Sequence, residues 1–333
     1  MKFQNNKTFD VICLGRAGVD LNPIEFDTSL EQVSGFKKSV GGSPANIAVG
    51  LSKQGRKVGF IGRVGDDVFG RYILNKFQEY GIDTNGIKKD THRNSLALTE
   101  VRSAHDCGAV FYRENVADLY LSCEDIDEDY IKNAKAIIIS GTAFARSPSR
   151  EAAYLAMEYA RKNKVKVIMD IDFRPYSWKS PSETSICYTM ACEKCDIIIG
   201  TREEFDAVEY LWDPKNTDDN VTGTRFLEKG AELVIIKKGK DGSVAFAAGN
   251  KRIDAGVVPA KVRKTFGAGD AFASGFITAL LEGKDIRKAL IYGSGTASIV
   301  ISKTDCTDAM PTKEELEAYL SENLSSETRG NRC

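Results

Sequence analysis

Histidine is nearly absent from the 333-residue chain, occurring only as His92 and His105. That scarcity leaves a His-based catalytic triad without material. Cysteine occurs eight times, yet Cys192 and Cys195 form a CxxC with no second pair and no histidine following at zinc spacing, so no metal or redox centre is expected there. Cysteines this sparse do not make a disulfide scaffold either. Charge of neither sign is in excess. With 46 basic residues against 47 acidic, the net charge is −1, which removes the electrostatic case for nucleic acid or an anionic membrane. Attraction for a charged ligand must then be local. No apolar run approaches the ~18 residues of a membrane span, and residues 1–6 lack the apolar stretch of a signal peptide. A soluble, cytoplasmic protein is the expectation.

What the chain does have is alternation of strand and helix patterns. Phe9 to Gly15 reads as a buried strand, and the loop leaving it reaches Asp20, which places that acid at a strand terminus, where open α/β sheets bind ligands. A strand over 57–62 and an amphipathic helix from Asp66 follow, with Val68, Tyr72, Ile73 and Phe77 on one face and a stop at Gly81. Strands over 136–140, 165–170, 196–199 and 233–237 alternate with helices over 148–162, 182–193 and 202–212, and further helices begin at Gly269, Asp285 and Lys313. Strands joined by helices imply right-handed crossovers, hence an α/β fold: a doubly wound, mostly parallel sheet with helices on both faces. Two stretches, 21–40 and 95–121, alternate like strands and interrupt this rhythm. They are expected to form a small β-sheet lid inserted in a single domain over 9–322, with 323–333 a frayed tail.

The chemistry is placed at Gly267, Ala268 and Gly269, which precede Asp270 and a helical pattern carrying Phe272, Phe276 and Leu280 on one face. A turn this poor in side chains lets an anion reach the free N–H groups at a helix start, where the dipole adds partial positive charge. Asp270, in the first turn, can take a proton from a hydroxyl as that hydroxyl attacks phosphorus. Taken alone, Gly267 to Asp270 is better read as a tight turn with a helix cap, and it is the rest of the chain that favours the chemical reading. Gly41-Gly42-Ser43-Pro44-Ala45-Asn46 is a second turn into a helix: Ser43 is the expected N-cap, with Pro44 at the first helical position and Asn46 facing whatever the glycines admit. Gly15-x-x-Gly18 lacks the third glycine and the spacing of a dinucleotide fingerprint, which sets an oxidoreductase aside.

Two separated signatures, Gly41-Gly42-x-x-x-Asn46 running on through Gly62-Arg63-Val64-Gly65-Asp66-Asp67-x-x-Gly70, and Thr265 to Asp270, match in order and spacing about 220 residues apart. With them the chain resembles the ribokinase-like (pfkB) carbohydrate kinases over almost its whole length. The resemblance implies transfer of the γ-phosphoryl group of ATP, with Mg²⁺, to a sugar hydroxyl, and a lid that also forms a homodimer contact. It implies no Walker lysine loop, and no GxxxxGK[ST] occurs. Carried over position by position, Asp270 is the base and the amides of Gly267, Ala268 and Gly269 hold phosphoryl charge, each worth about 3–4 kcal/mol if they act like other oxyanion donors. Asp20, Gly42 and Asn46 hold sugar hydroxyls. Lys237, Gly239, Gly242 and Thr265 lie along the nucleotide, with Ser294 and Ala297 near the adenine. Glu204 takes the place of a glutamate that orders Mg²⁺ through water, although Thr201 replaces the family's asparagine.

Arg113 and Arg174 carry the substrate expectation. They sit in Tyr112-Arg113-Glu114-Asn115 and Asp170-x-Asp172-x-Arg174-Pro175, runs that resemble the family's sugar-acid members. A neutral hexose needs no guanidinium, whereas a carboxylate gains from a planar fork that binds both oxygens. A small-molecule sugar acid is therefore expected as substrate. The competing readings are a salt bridge of Arg174 with Asp170 or Asp172, and an exposed strand position for Arg113. Where many relatives carry an Asp that helps bind a monovalent cation, this chain has Lys264, whose ammonium is expected to replace that cation; a solvent-facing lysine is the alternative. A closing lid would exclude water and limit wasteful ATP hydrolysis. A kinase for another sugar, and a sugar-binding regulator that has lost catalysis, stay open on the same fold.

Overall fold

The structure, a computed structural model, describes residues 2–103, 106–249 and 251–330, with side chains to 324. His105 lies outside the described residues. In chain order the strands are β1 (Phe9–Leu14), β2 (Gly18–Pro23), β3 (Phe36–Gly41), β4 (Val58–Gly65), β5 (Asp83–Asp90), β6 (Leu96–Ser103), β7 (Asp106–Tyr112), β8 (Ala134–Ser140), β9 (Lys166–Asp170), β10 (Ile197–Thr201), β11 (Leu233–Lys237), β12 (Ser243–Ala247) and β13 (Lys251–Ala255). Among the described residues, nine of them form one sheet in the order β13-β12-β11-β10-β9-β8-β1-β4-β5, and β3-β2-β6-β7 form a second. The large sheet is parallel from β11 to β5 and antiparallel only at its β11-β12-β13 edge.

The apolar continuity of the inner strands follows from burial on both faces. In β1, Val11 and Cys13 enter one core and Ile12 and Leu14 the other; in β8, Ile138 enters the first and Ile137 and Ile139 the second. The first core is covered by α1 (Ser43–Lys53), α2 (Val68–Glu79), α8 (Ala268–Leu281) and α9 (Ile286–Ile301). The second lies under α3 (Glu128–Lys132), α4 (Ser149–Lys162), α5 (Pro181–Cys192), α6 (Arg202–Glu209) and α7 (Asp219–Glu228). Residues Ala271 to Leu280 of α8 are all buried, as expected of a helix that is apolar nearly all round and covered on every side. A last helix, α10 (Lys313–Gly330), packs Leu316 and Leu320 against α9. It runs on through most of the stretch expected to fray, and 331–333 lie outside the described residues.

Several expectations are corrected. The small sheet starts at Gly18, not residue 21, so Asp20 lies inside β2 rather than at the terminus of a main-sheet strand. Alternation of two or three residues next to a buried strand cannot mark where the chain leaves one sheet for another. The second inserted stretch ends as strand at Tyr112, and Ala117–Tyr120 is instead a short 3₁₀ turn. Ser43 is the first helical residue rather than the cap, and Gly42 is the N-cap. Val68 is 64% exposed and belongs to no apolar face; Asp67 caps that helix, accepting from the N–H groups of Phe69 and Gly70.

Candidate active site

Two helix N-termini and the carboxyl ends of β9, β10 and β11 meet in one crevice. The start of α8 is shaped by Gly267, whose φ of +76° is left-handed and whose hypothetical Cβ would meet Cys306 Sγ at 3.2 Å. Any side chain there is both strained and crowded. Beyond it, Asp270 accepts a hydrogen bond from Asn46 Nδ2 at 2.7 Å, across 224 residues of sequence. Asn46 Oδ1 lies 3.1 Å from Thr307 Oγ1, whose single proton is shared with the Val40 carbonyl, and the carboxylate, which can only accept, draws the amide's NH₂ toward Asp270. Burial first, and then the charge of Asp172, hold the Asp270 carboxyl above the ordinary carboxylate range, while Asn46, Ser43 and Arg174 pull it back. A raised carboxyl is a better base toward a hydroxyl than a solvated one.

Charge surrounds it. Lys237 Nζ lies 3.3 Å from Asp170 Oδ1 and 3.8 Å from Glu204 Oε2, and a Cβ on Gly269 would come within 3.2 Å of the same ammonium. Lys237 therefore stands directly over the proposed anion hole. The neighbouring carboxylates overcome the cost of burying Lys237 and raise its pKa. Burial raises that of Asp170, reinforced by Glu204 and Asp172. Ser43 Oγ, freed from capping, donates to Asp170 Oδ2 at 3.1 Å. Asp172 adopts a left-handed φ of +39°, held by Ser140 Oγ at 2.9 Å and by Arg174 at 2.6 Å. Strain of this kind persists only when surroundings over-determine it.

Glu204 is bound by backbone: one oxygen accepts from Thr201 N at 2.7 Å in a capping box, the other from Phe173 N at 3.1 Å. Among the described residues no cluster of three or more side chains converges with metal-ligand geometry. Lys237 and Arg174 are, among the described residues, the cations within ion-pair distance of Asp170, Asp172 and Glu204, and carboxylate oxygens of this kind could take a divalent ion through water. The nucleotide candidates are spread along the edge of the crevice. Gly239 opens and Gly242 closes a short turn after β11, Thr265 is exposed, and Ser294 is buried with its hydroxyl accepting from Val258 N at 2.8 Å. Ala297 is half-buried on the same helix.

At the sugar end, Asp20 is pushed up to about 6, by burial first, with Arg16 opposing and Asp270 and Asp305 adding to it. Arg113 is not an exposed strand residue: its side chain is 7% exposed and holds Asp118 through Nε at 3.1 Å and Nη2 at 2.7 Å. Arg174 is paired with Asp172, as one competing reading had it, but Asp172 is buried rather than superficial. Lys264 is 2% exposed, with Nζ donating to the Phe266 carbonyl at 2.9 Å and lying 3.1 Å from Cys306 Sγ. The solvent-facing alternative for it is therefore wrong. Sequence reasoning missed the pairing of Ser43 with Asp170, the clamp by Thr307, and the buried guanidinium of Arg16. The available signal for Arg16 was its place directly after β1, in the loop that had drawn attention to Asp20.

A model of pfkB family carbohydrate kinases matches residues 8–313, and the chain belongs to that family. It is a carbohydrate kinase. A curated relative from Geobacillus kaustophilus (strain HTA426), named 5-dehydro-2-deoxygluconokinase, is 48% identical over 325 residues, covering 97% of each chain. The PfkB protein of Polaromonas sp. JS666 superposes with a TM-score of 0.82 at 26% identity, covering 93% of this chain and 99% of that one. A fructokinase of Xylella fastidiosa solved with bound ATP gives 0.83 at 21% identity, over 94% and 98%.

Asp270→Asn keeps the hydrogen-bonded shape but removes the base, so kcat should fall by about 10²–10⁴-fold; a loss under threefold in a coupled ADP-release assay contradicts the assignment. If Asp20 must be ionised to hold the sugar, kcat/KM for the sugar should decline as pH falls through about 6, and the raised Asp270 carboxyl would act in the same direction. At pH 5 the loss relative to the plateau should be about tenfold, one unit below that value. A profile flat from pH 7 to 4.5 is the contrary result.

Proposed function

We propose that this kinase phosphorylates a sugar acid, 5-dehydro-2-deoxygluconate, at its terminal hydroxyl, using ATP and Mg²⁺, as a step in inositol breakdown. The observation that carries the reading is the Asn46–Asp270 hydrogen bond at the mouth of the Gly267–Gly269 turn, in a crevice whose far end holds buried arginines. The name and the 48% identity of the Geobacillus relative support the choice of sugar acid. Asp270 removes the proton of the attacking hydroxyl, and the amides of Gly267, Ala268 and Gly269 receive the charge on the transferring group. Asp20, Gly42 and Asn46 orient the sugar, with Arg113 and Arg174, each paired to a buried acid, at the same end of the crevice. Lys237, Gly239, Gly242 and Thr265 line the nucleotide, whose adenine lies toward Ser294 and Ala297. Glu204 and Asp170 hold Mg²⁺ through water, and the ion supplies charge neutralisation at the phosphates.

Lys264 contributes one fixed positive charge beneath the anion-hole loop in place of a monovalent ion, a reading supported by its burial against the Phe266 carbonyl. The lid, β3-β2-β6-β7, closes over the sugar, and a second copy of the chain covers its outer face. The exposed Val110 and Tyr112, which alternate with the inward Phe111, are what that contact would bury. The enzyme works in the cytoplasm.

Turnover with 5-dehydro-2-deoxygluconate should exceed that with 2-keto-3-deoxygluconate, fructose or ribose by at least tenfold in kcat/KM; a preference for any of the others overturns the substrate. Replacing K⁺ by tetramethylammonium should leave the rate within about twofold, and a many-fold loss refutes the role given to Lys264.

A further inference from the structure

Three guanidinium groups, those of Arg16, Arg113 and Arg174, lie within electrostatic reach of the Tyr176 hydroxyl at the sugar end of the crevice. Two are already committed to carboxylates, Arg113 to Asp118 at 2.7 Å and Arg174 to Asp172 at 2.6 Å. The third is not. Arg16 is only 7% exposed, its Nε is buried with no hydrogen-bond partner, and among the described residues no carboxylate lies within ion-pair distance of it. A largely buried guanidinium with no carboxylate partner carries a full charge and a buried Nε donor that nothing in the described residues satisfies, a costly arrangement for a fold to hold.

Its position is fixed from three sides. Arg16 follows β1 directly, and its carbonyl lies where a Cβ on Gly42 would approach to 2.5 Å, so the φ of +102° and missing side chain of Gly42 are what let the two turns touch. The guanidinium lies over the ring of Phe111, on the lid strand β7, at 5.7 Å from its centre. Phe111 stacks on Tyr176 at 5.1 Å, and both line a cleft of about 320 Å³ with Arg113, Arg146, Glu114 and Ser177, so that Phe111 stands between Arg16 and that cleft. Asp20 feels the charge of Arg16 yet stays beyond pairing distance. Phosphate charge falls at the other end of the crevice, under Lys237 and the Gly267–Gly269 amides. The anion missing from Arg16 is therefore one that arrives with the sugar.

We infer that Arg16, rather than Arg113 or Arg174, is the residue that receives the substrate carboxylate and sets the preference for a sugar acid, with Phe111 keeping its guanidinium plane oriented. Arg113 and Arg174 then act as positioning residues: one ties the end of β7 to the turn at Asp118, the other pins the strained Asp172. The inference rests on the sugar-acid reading above.

The test compares 5-dehydro-2-deoxygluconate with its neutral primary amide as acceptors for wild type, Arg16→Gln and Arg16→Lys. Wild type should favour the acid. Arg16→Gln should raise KM for the acid by about 10–100-fold, the loss expected for hydrogen bonds to a charged group, while its kcat/KM for the amide and its KM for ATP stay within threefold of wild type. Arg16→Lys, keeping charge without the planar fork, should fall between. Retained turnover of the amide reports an intact fold in either variant. An unchanged KM for the acid in Arg16→Gln, or equal losses for acid and amide, overturns the inference while leaving the sugar-acid reading standing. Failure of wild type itself to prefer the acid overturns both.

Discussion

The hydrogen bond from Asn46 to Asp270 is the contact on which the site depends. One partner stands in the first turn of the first crossover helix and the other in the first turn of α8, so a single amide brings two positive helix ends to one crevice. Next to the amide, Thr307 bridges with its hydroxyl between Asn46 Oδ1 and the Val40 carbonyl of the lid strand β3. Lid, catalytic helix and the segment after α9 are thus linked through one side chain. Without that donor, Asp270 would face Asp172 with only Ser43 and Arg174 left to favour its ionised form.

Negative charge is concentrated here. Burial first, and the neighbouring carboxylates after it, raise the pKa values of Asp170 and Asp270. Such an arrangement costs folding free energy in the absence of ligand. It is tolerated because the rest of the sheet is buried on both faces by two large apolar cores, whose strands alternate cleanly between them. Stability is built where the chemistry is not, and the site retains groups whose compensation comes from what binds.

The sugar end follows the same logic with opposite sign. Arg16, Arg113 and Arg174 gather around Tyr176, and two of them are neutralised within the chain. Unpaired positive charge beside the lid is what the inferred role of Arg16 uses: it would draw a carboxylate to that end of the crevice.

Much of this was legible in the sequence because it is local. The bounds of β11 and β12 follow from runs of adjacent apolar residues, and the opening of α8 from Gly267 to Asp270 follows from a turn, a helix dipole and an acid within a few positions. The mostly parallel sheet likewise follows from strand and helix patterns in succession. Tertiary structure alone decided the rest. It moved Asp20 into the lid, turned Ser43 from a cap into a partner of Asp170, and buried Lys264. It also settled which arginines find a carboxylate, because pairing and burial depend on distances between segments far apart in the chain, and composition carries no record of those distances.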